Sequence, residues 1–154
     1  MKRRAAAVAG LAVFALAGCG SSTTTSSGGY GKGASAGTAD RTVNLQVLPT
    51  SYSPAAISVK PAETVLFKVA NTTAGIHEFV LGDQKAQDDY EGLMKSMGNA
   101  PMMMPGRTNI MDMGPGQTGQ LAWTFPATKG ATVIFGSHEP GDFARGLKGL
   151  ITVS

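Results

Sequence analysis

The chain has 154 residues, which is enough for one domain once its ends are set aside. Of its thirteen Lys and Arg, three stand at positions 2–4, so the remainder of the chain is balanced against ten acidic residues and has no basic run to support nucleic-acid binding. Its single cysteine, Cys19, lies near the start, which excludes disulfides, Cys-ligated zinc, iron–sulfur clusters and thiol nucleophiles from the folded part.

The chain opens on Lys2, Arg3 and Arg4, followed by an apolar run over residues 5–17 and then Gly18 and Cys19. Basic start, short apolar core and small residues form a secretory signal, predicted over residues 1–18. The run is too short to cross a bilayer core of ~30 Å as a helix. Leu16-Ala17-Gly18-Cys19 resembles the bacterial lipobox, in which the cysteine becomes the lipidated first residue of the mature protein. That resemblance implies a diacyl anchor on Cys19, with the protein held at the cell membrane on its extracytoplasmic side.

Residues 19–40 are dominated by Ser, Thr, Gly and Ala and predict a flexible tether. A globular domain is predicted over residues 41–154. Residues 42–47 alternate apolar and polar, as a half-buried strand does. Further short strands are predicted at 57–59, 64–69, 78–81, 120–125, 131–135 and 150–153, separated by Gly and Pro. Leu121, Trp123 and Phe125 share one face of their strand. Short strands at this spacing predict an all-β antiparallel sandwich.

Residues 84–107 break the pattern. They hold one short helical stretch over residues 86–97 and otherwise predict a long loop. Met94, Met97, Met102, Met103 and Met104 lie in it, with Met111 and Met113 just beyond, so seven of the eight methionines fall within twenty residues. Thioethers are soft ligands that select Cu(I) and Ag(I), though methionine more often fills core gaps or makes adaptable contact surfaces. On a helix, Met94 and Met97 would share one face.

The last loop resembles that of the cupredoxins, the family of plastocyanin, azurin and the small copper-tolerance cupredoxins. The resemblance rests on the run from Ile134 to Val153, which includes Ser137, Pro140-Gly141-Asp142 and Gly146-Leu147 before a final strand. His77-Glu78-Phe79-Val80 and Gly114-Pro115-Gly116-Gln117 are similar to the family's other landmarks. The resemblance implies a cupredoxin-like Greek-key β-sandwich with a long Met-rich loop or short helix. It also implies a type 1 copper site of two imidazoles, a thiolate and a weak axial thioether.

Carried over residue by residue, His77 stands at the upstream histidine. Ser137 stands where the family has cysteine, Asp142 where it has the second histidine and Leu147 where it has the axial methionine. A serine hydroxyl is a hard donor that does not ionise in the working range, so blue-copper electron transfer is not expected. Candidate metal ligands are then His77, Asp142 and His138, with Met94, Met97, Met102, Met103 and Met104. Each has a plainer reading: His77 as a hydrogen-bonded structural residue, His138 as a surface histidine pointing away from the pocket, Asp142 as a cap within the loop. Ser137, His77 and Asp142 also invite a Ser-His-Asp reading, but no nucleophile elbow surrounds Ser137 and no enzyme is expected. The function implied is non-blue copper binding in copper handling or tolerance, by a monomer that meets the membrane through Cys19 and a copper-handling envelope protein as partner. The alternative is a metal-free module that docks an envelope partner through its Met-rich loop.

Overall fold

The computed structural model describes residues 31–98 and 107–154. Cys19 and Met102, Met103 and Met104 lie outside the described residues. Among the described residues, ten strands form two five-stranded sheets packed face to face. In chain order the strands are β1 (Lys32–Gly33), β2 (Arg41–Leu48), β3 (Ser51–Ser53), β4 (Ala56–Val59), β5 (Thr64–Asn71), β6 (His77–Gly82), β7 (Ile110–Met113), β8 (Thr118–Thr124), β9 (Thr132–Gly136) and β10 (Lys148–Val153). Helix α1 (Gln84–Ser96) follows β6, and the single turn α2 (Asp142–Arg145) lies between β9 and β10. One sheet runs β1-β8-β5-β2-β3 and the other β4-β10-β9-β6-β7. The β2–β5 and β4–β10 pairs are parallel and the others antiparallel. This is the all-β sandwich the alternation predicts, with two parallel pairs where a wholly antiparallel arrangement was expected.

The core follows from the period-two pattern. Val43, Leu45 and Val47 of β2, Val65, Phe67 and Val69 of β5, and Leu121 and Trp123 of β8 all turn inward. Against them lie Phe79 and Leu81 of β6, Phe135 of β9 and Ile151 of β10. Phe67, Phe79, Phe135 and Tyr52 meet at ring-centroid separations of 5.1–6.1 Å. Each such side chain contributes about 1.5–3 kcal/mol by leaving water.

β6 departs from simple alternation, because all six of its residues are buried. Its inward side chains His77, Phe79 and Leu81 face the sandwich, while Glu78 and Val80 point outward and are covered by α1. Asp83 caps that helix, its carboxylate accepting from the Ala86 amide at 2.8 Å. Tyr90 and Met94 of α1 close on Val80 as a second small core, flanked by Leu93, Met97 and Ile110.

Two expectations change. The tether predicted to reach residue 40 is ordered against the sandwich from about residue 31: Lys32 and Gly33 pair with Thr124 and Trp123, and Asp40 accepts from the Thr64 amide at 2.7 Å. Edge pairing uses backbone groups, so a Ser/Gly/Ala composition does not reveal it. Met111 and Met113 lie in β7, a strand absent from the prediction, paired in register with Phe79 and His77.

Candidate metal centre

The end of the sandwich where β6 begins is closed by the loop between β9 and β10. Asn71 ties the approach to it: its side-chain NH2 donates to the carbonyls of Gly75, Met113 and Gly114 at 2.8, 2.9 and 3.1 Å. The β5–β6 loop is thus fastened to the β7–β8 turn, and His77 enters the pocket from its strand. Its ring is buried, with the side chain 11% exposed.

The opposite wall comes from the last loop. Gly141 and Gly146 flank α2 at φ +84° and +101°, a left-handed conformation that glycine adopts at no steric cost. Those two reversals turn Asp142 back into the pocket. The Leu147 amide donates to the Asp142 carbonyl at 3.0 Å and the Ser137 amide to the Leu147 carbonyl at 3.1 Å, so positions 137, 142 and 147 are fixed together.

Asp142 is the hub. Its Oδ2 lies 2.6 Å from His77 Nδ1 and accepts from Ser137 Oγ at 2.7 Å. Its Oδ1 accepts from Arg145 Nη2 at 2.5 Å. Ser137 Oγ also accepts from the Glu78 amide at 3.1 Å. Ser137, Asp142 and Leu147 are 0%, 2% and 1% exposed. Three of the four positions carried over from the family, His77, Ser137 and Asp142, therefore converge within hydrogen-bond distance, and Leu147 stands beside them as an apolar wall.

This donor set does not fit a blue copper ion. The thiolate position carries a hydroxyl that spends its proton on Asp142, the second imidazole position carries a carboxylate already paired with Arg145, and the axial position carries a hydrocarbon. Among the described residues no group of three or more His, Cys, Asp or Glu is disposed to hold a metal ion. Nor is the arrangement a hydrolytic triad. The carboxylate stands between the serine and the histidine, so His77 cannot take the Ser137 proton.

His138 is not a surface residue as its plainer reading had it. It points away from the pocket, as expected, but into a buried slot against α1. Its Nε2 faces Gln87 Oε1 at 2.6 Å and its Nδ1 faces Glu91 Oε2 at 2.7 Å. Gln87 donates its NH2 to the carbonyls of Val80 and Ile134, both at 3.0 Å, which fixes its oxygen toward the imidazole and makes Nε2 the donor. Phe143 stacks on the ring at 4.5 Å, and burial holds the imidazole below its ordinary value.

Below it lies a residue the sequence reading did not single out. Glu78 is 1% exposed. Its Oε1 accepts from Tyr90 Oη at 2.6 Å and its Oε2 from the His138 amide at 2.9 Å. Burial raises its carboxyl to about 7, against the lowering effect of those two bonds. Glu139, beside the pocket, has a buried Oε1 with no hydrogen-bond partner, and burial together with Asp142 and Asp112 pushes its carboxyl up.

Met94 is fully buried beside Val80 and Tyr90, and Met97 packs on the same cluster. They share one face, as the helix predicts, and that face is turned to the protein interior, where their thioethers act as packing atoms.

No protein-family model matches the chain. It is 30% identical over 150 residues to the copper-resistant cuproprotein CopI of Pseudomonas aeruginosa, covering 80% of this chain and 82% of that protein. It is 33% identical over 125 residues to the copper-resistant cuproprotein CopI of Rubrivivax gelatinosus, covering 80% and 73%. Among solved structures, auracyanin B matches with a TM-score of 0.65 at 20% identity, over 81% of this chain and 96% of that one, which shows the shared sandwich fold.

Proposed function

The chain belongs to the family of the copper-resistant cuproproteins, and from that premise we propose that it serves copper tolerance as a cupredoxin that binds copper in a non-blue form and does not transfer electrons. The observation that carries this reading is Ser137. It stands at the thiolate position, buried, with its hydroxyl committed to Asp142 at 2.7 Å. With the pocket's oxygen and nitrogen donors engaged in hydrogen bonds, the reading assigns copper to the soft thioethers that the sequence offers at Met102, Met103 and Met104. Copper resistance needs an ion to be held out of circulation, and thioether ligation of Cu(I) serves that purpose without redox turnover.

The same reading places the protein at the cell membrane, facing outward. The support is the sequence Leu16-Ala17-Gly18-Cys19 behind a basic, apolar leader. No helix among the described residues is long and apolar enough to cross a membrane. Incorporation of labelled fatty acid, abolished by Cys19→Ala, tests the anchor. A monomer that passes copper to an envelope protein completes the proposal.

The test is a titration of the mature chain with Cu(I) and, separately, Cu(II), following melting temperature. A ligand bound only by the native state at a hundredfold excess over Kd adds about 2.7 kcal/mol. Stabilisation by Cu(I), lost when Met102, Met103 and Met104 are changed to Leu, is the expected result. Stabilisation by Cu(II) alone, lost in His77→Ala, would move the metal into the pocket and reject the methionine assignment. No shift with either ion would leave the metal-free docking module.

A further inference from the structure

The geometry points to Asp142 having taken the metal's place: its carboxylate ties β6 to the last loop as copper would, and it keeps copper off the pocket-facing Nδ1 of His77. The inference deepens the non-blue reading of this pocket and rests on it, because it states why the one retained ligand position does not recruit the ion.

In a cupredoxin the metal joins an imidazole on one strand to donors on the loop between the last two strands. Here one oxygen atom makes that junction. Asp142 Oδ2 takes His77 Nδ1 at 2.6 Å from β6 and Ser137 Oγ at 2.7 Å from the loop. The second oxygen is anchored by Arg145 at 2.5 Å, within the same turn. Ser137 Oγ closes the circuit back to β6 by accepting from the Glu78 amide at 3.1 Å. Each member has its donors and acceptors assigned. The carboxylate only accepts, so the serine proton points to it and the His77 proton lies on Nδ1.

That tautomer has a consequence for metal binding. Nδ1, the nitrogen facing the pocket, has no lone pair to offer while it donates to Asp142. A metal reaching it must displace the proton and rotate the carboxylate, leaving the buried Ser137 hydroxyl without its acceptor and breaking the bond to the solvent-exposed Arg145. The other nitrogen, Nε2, faces Gly75, where an added Cβ would lie in ordinary contact at 3.6 Å. The pocket therefore holds its shape without an ion and is closed to one from within.

The chain has two histidines, so a histidine-labelled sample gives four ring-nitrogen signals and needs no crowded assignment. The full chain in detergent, ¹⁵N-labelled at histidine and ¹³C-labelled at the methionine methyls, would be observed alone and then with excess Cu(I) and, separately, Zn(II). The expected result is a protonated Nδ1 at His77, unmoved by either ion. In Asp142→Ala, with its amide spectrum otherwise native, the His77 nitrogens should shift on adding the same ions. A bare Nδ1 in the unmodified chain, an Nδ1 signal that moves with metal, or a folded Asp142→Ala that still ignores both ions would overturn the inference. The tautomer needs no variant, so the test survives if Asp142→Ala does not fold. Methionine methyls that do not respond to Cu(I) would sink the thioether reading while leaving this one standing.

Discussion

Replacing Glu78 by glutamine should flatten part of the protein's pH-dependent stability. Glu78 is almost fully enclosed, and burial moves its carboxyl from the ordinary 4.5 to about 7 in the native state. Below the lower value the group is neutral in both the folded and unfolded chain and favours neither. Between the two, the unfolded chain releases the proton first, so stability falls as pH rises. Above the upper value the full cost is present, about 3 kcal/mol at about 1.4 kcal/mol per pH unit. Glutamine is neutral throughout, and it fits the same partners: its oxygen accepts from the His138 amide, and its NH2 donates to Tyr90 Oη once that hydroxyl turns. The measurement is urea unfolding of both proteins at intervals between about pH 4 and pH 8. The two should match at the acid end and diverge toward the alkaline end, with Glu78→Gln the more stable by about 2–3 kcal/mol. Asp112 and Glu139, also raised by burial, titrate in both proteins, and their repulsion with Glu78 is part of the difference that the substitution removes. Parallel curves across the whole interval would refute the assignment of a buried, neutral-leaning Glu78.

Met94→Ala should cost about 2–4 kcal/mol, since it empties a fully buried site beside Val80 and Tyr90, and it should leave the copper-induced stabilisation unchanged; calorimetric melting with and without Cu(I) reads both. The triple substitution Ser137→Cys, Asp142→His and Leu147→Met should restore the family's donors on an intact scaffold, giving an intense visible thiolate-to-Cu(II) absorption. A folded but colourless triple variant would show that the loop no longer holds its donors in copper geometry.

Much of this was legible in the sequence, for a physical reason. Residues 42–47, 64–69 and 120–125 alternate because each strand buries one face, and a one-sided environment writes itself as period two. The last loop was legible through its resemblance to that of the cupredoxins, and that resemblance implies the convergence of His77, Ser137 and Asp142. Glu78 was not. In an alternating strand it reads as a solvent position, and only α1, lying across the outer face of β6, converts it into a buried acid. Arg145 escaped for a similar reason: its approach to Asp142 depends on the single turn of α2, set by two left-handed glycines. His138 stood in the sequence as a surface histidine, because nothing local signals that Gln87 and Glu91 of a distant helix enclose it.

Ser137 carries one more consequence, a chemical one. The position is wholly enclosed and holds oxygen where the fold's copper proteins hold sulfur, and the chain's one thiol lies far upstream at Cys19. The folded body is therefore inert toward thiol-directed mercurials, thiol-directed alkylation and disulfide exchange. No sulfenic acid can form in this pocket, and no reductant is needed to keep the sandwich intact.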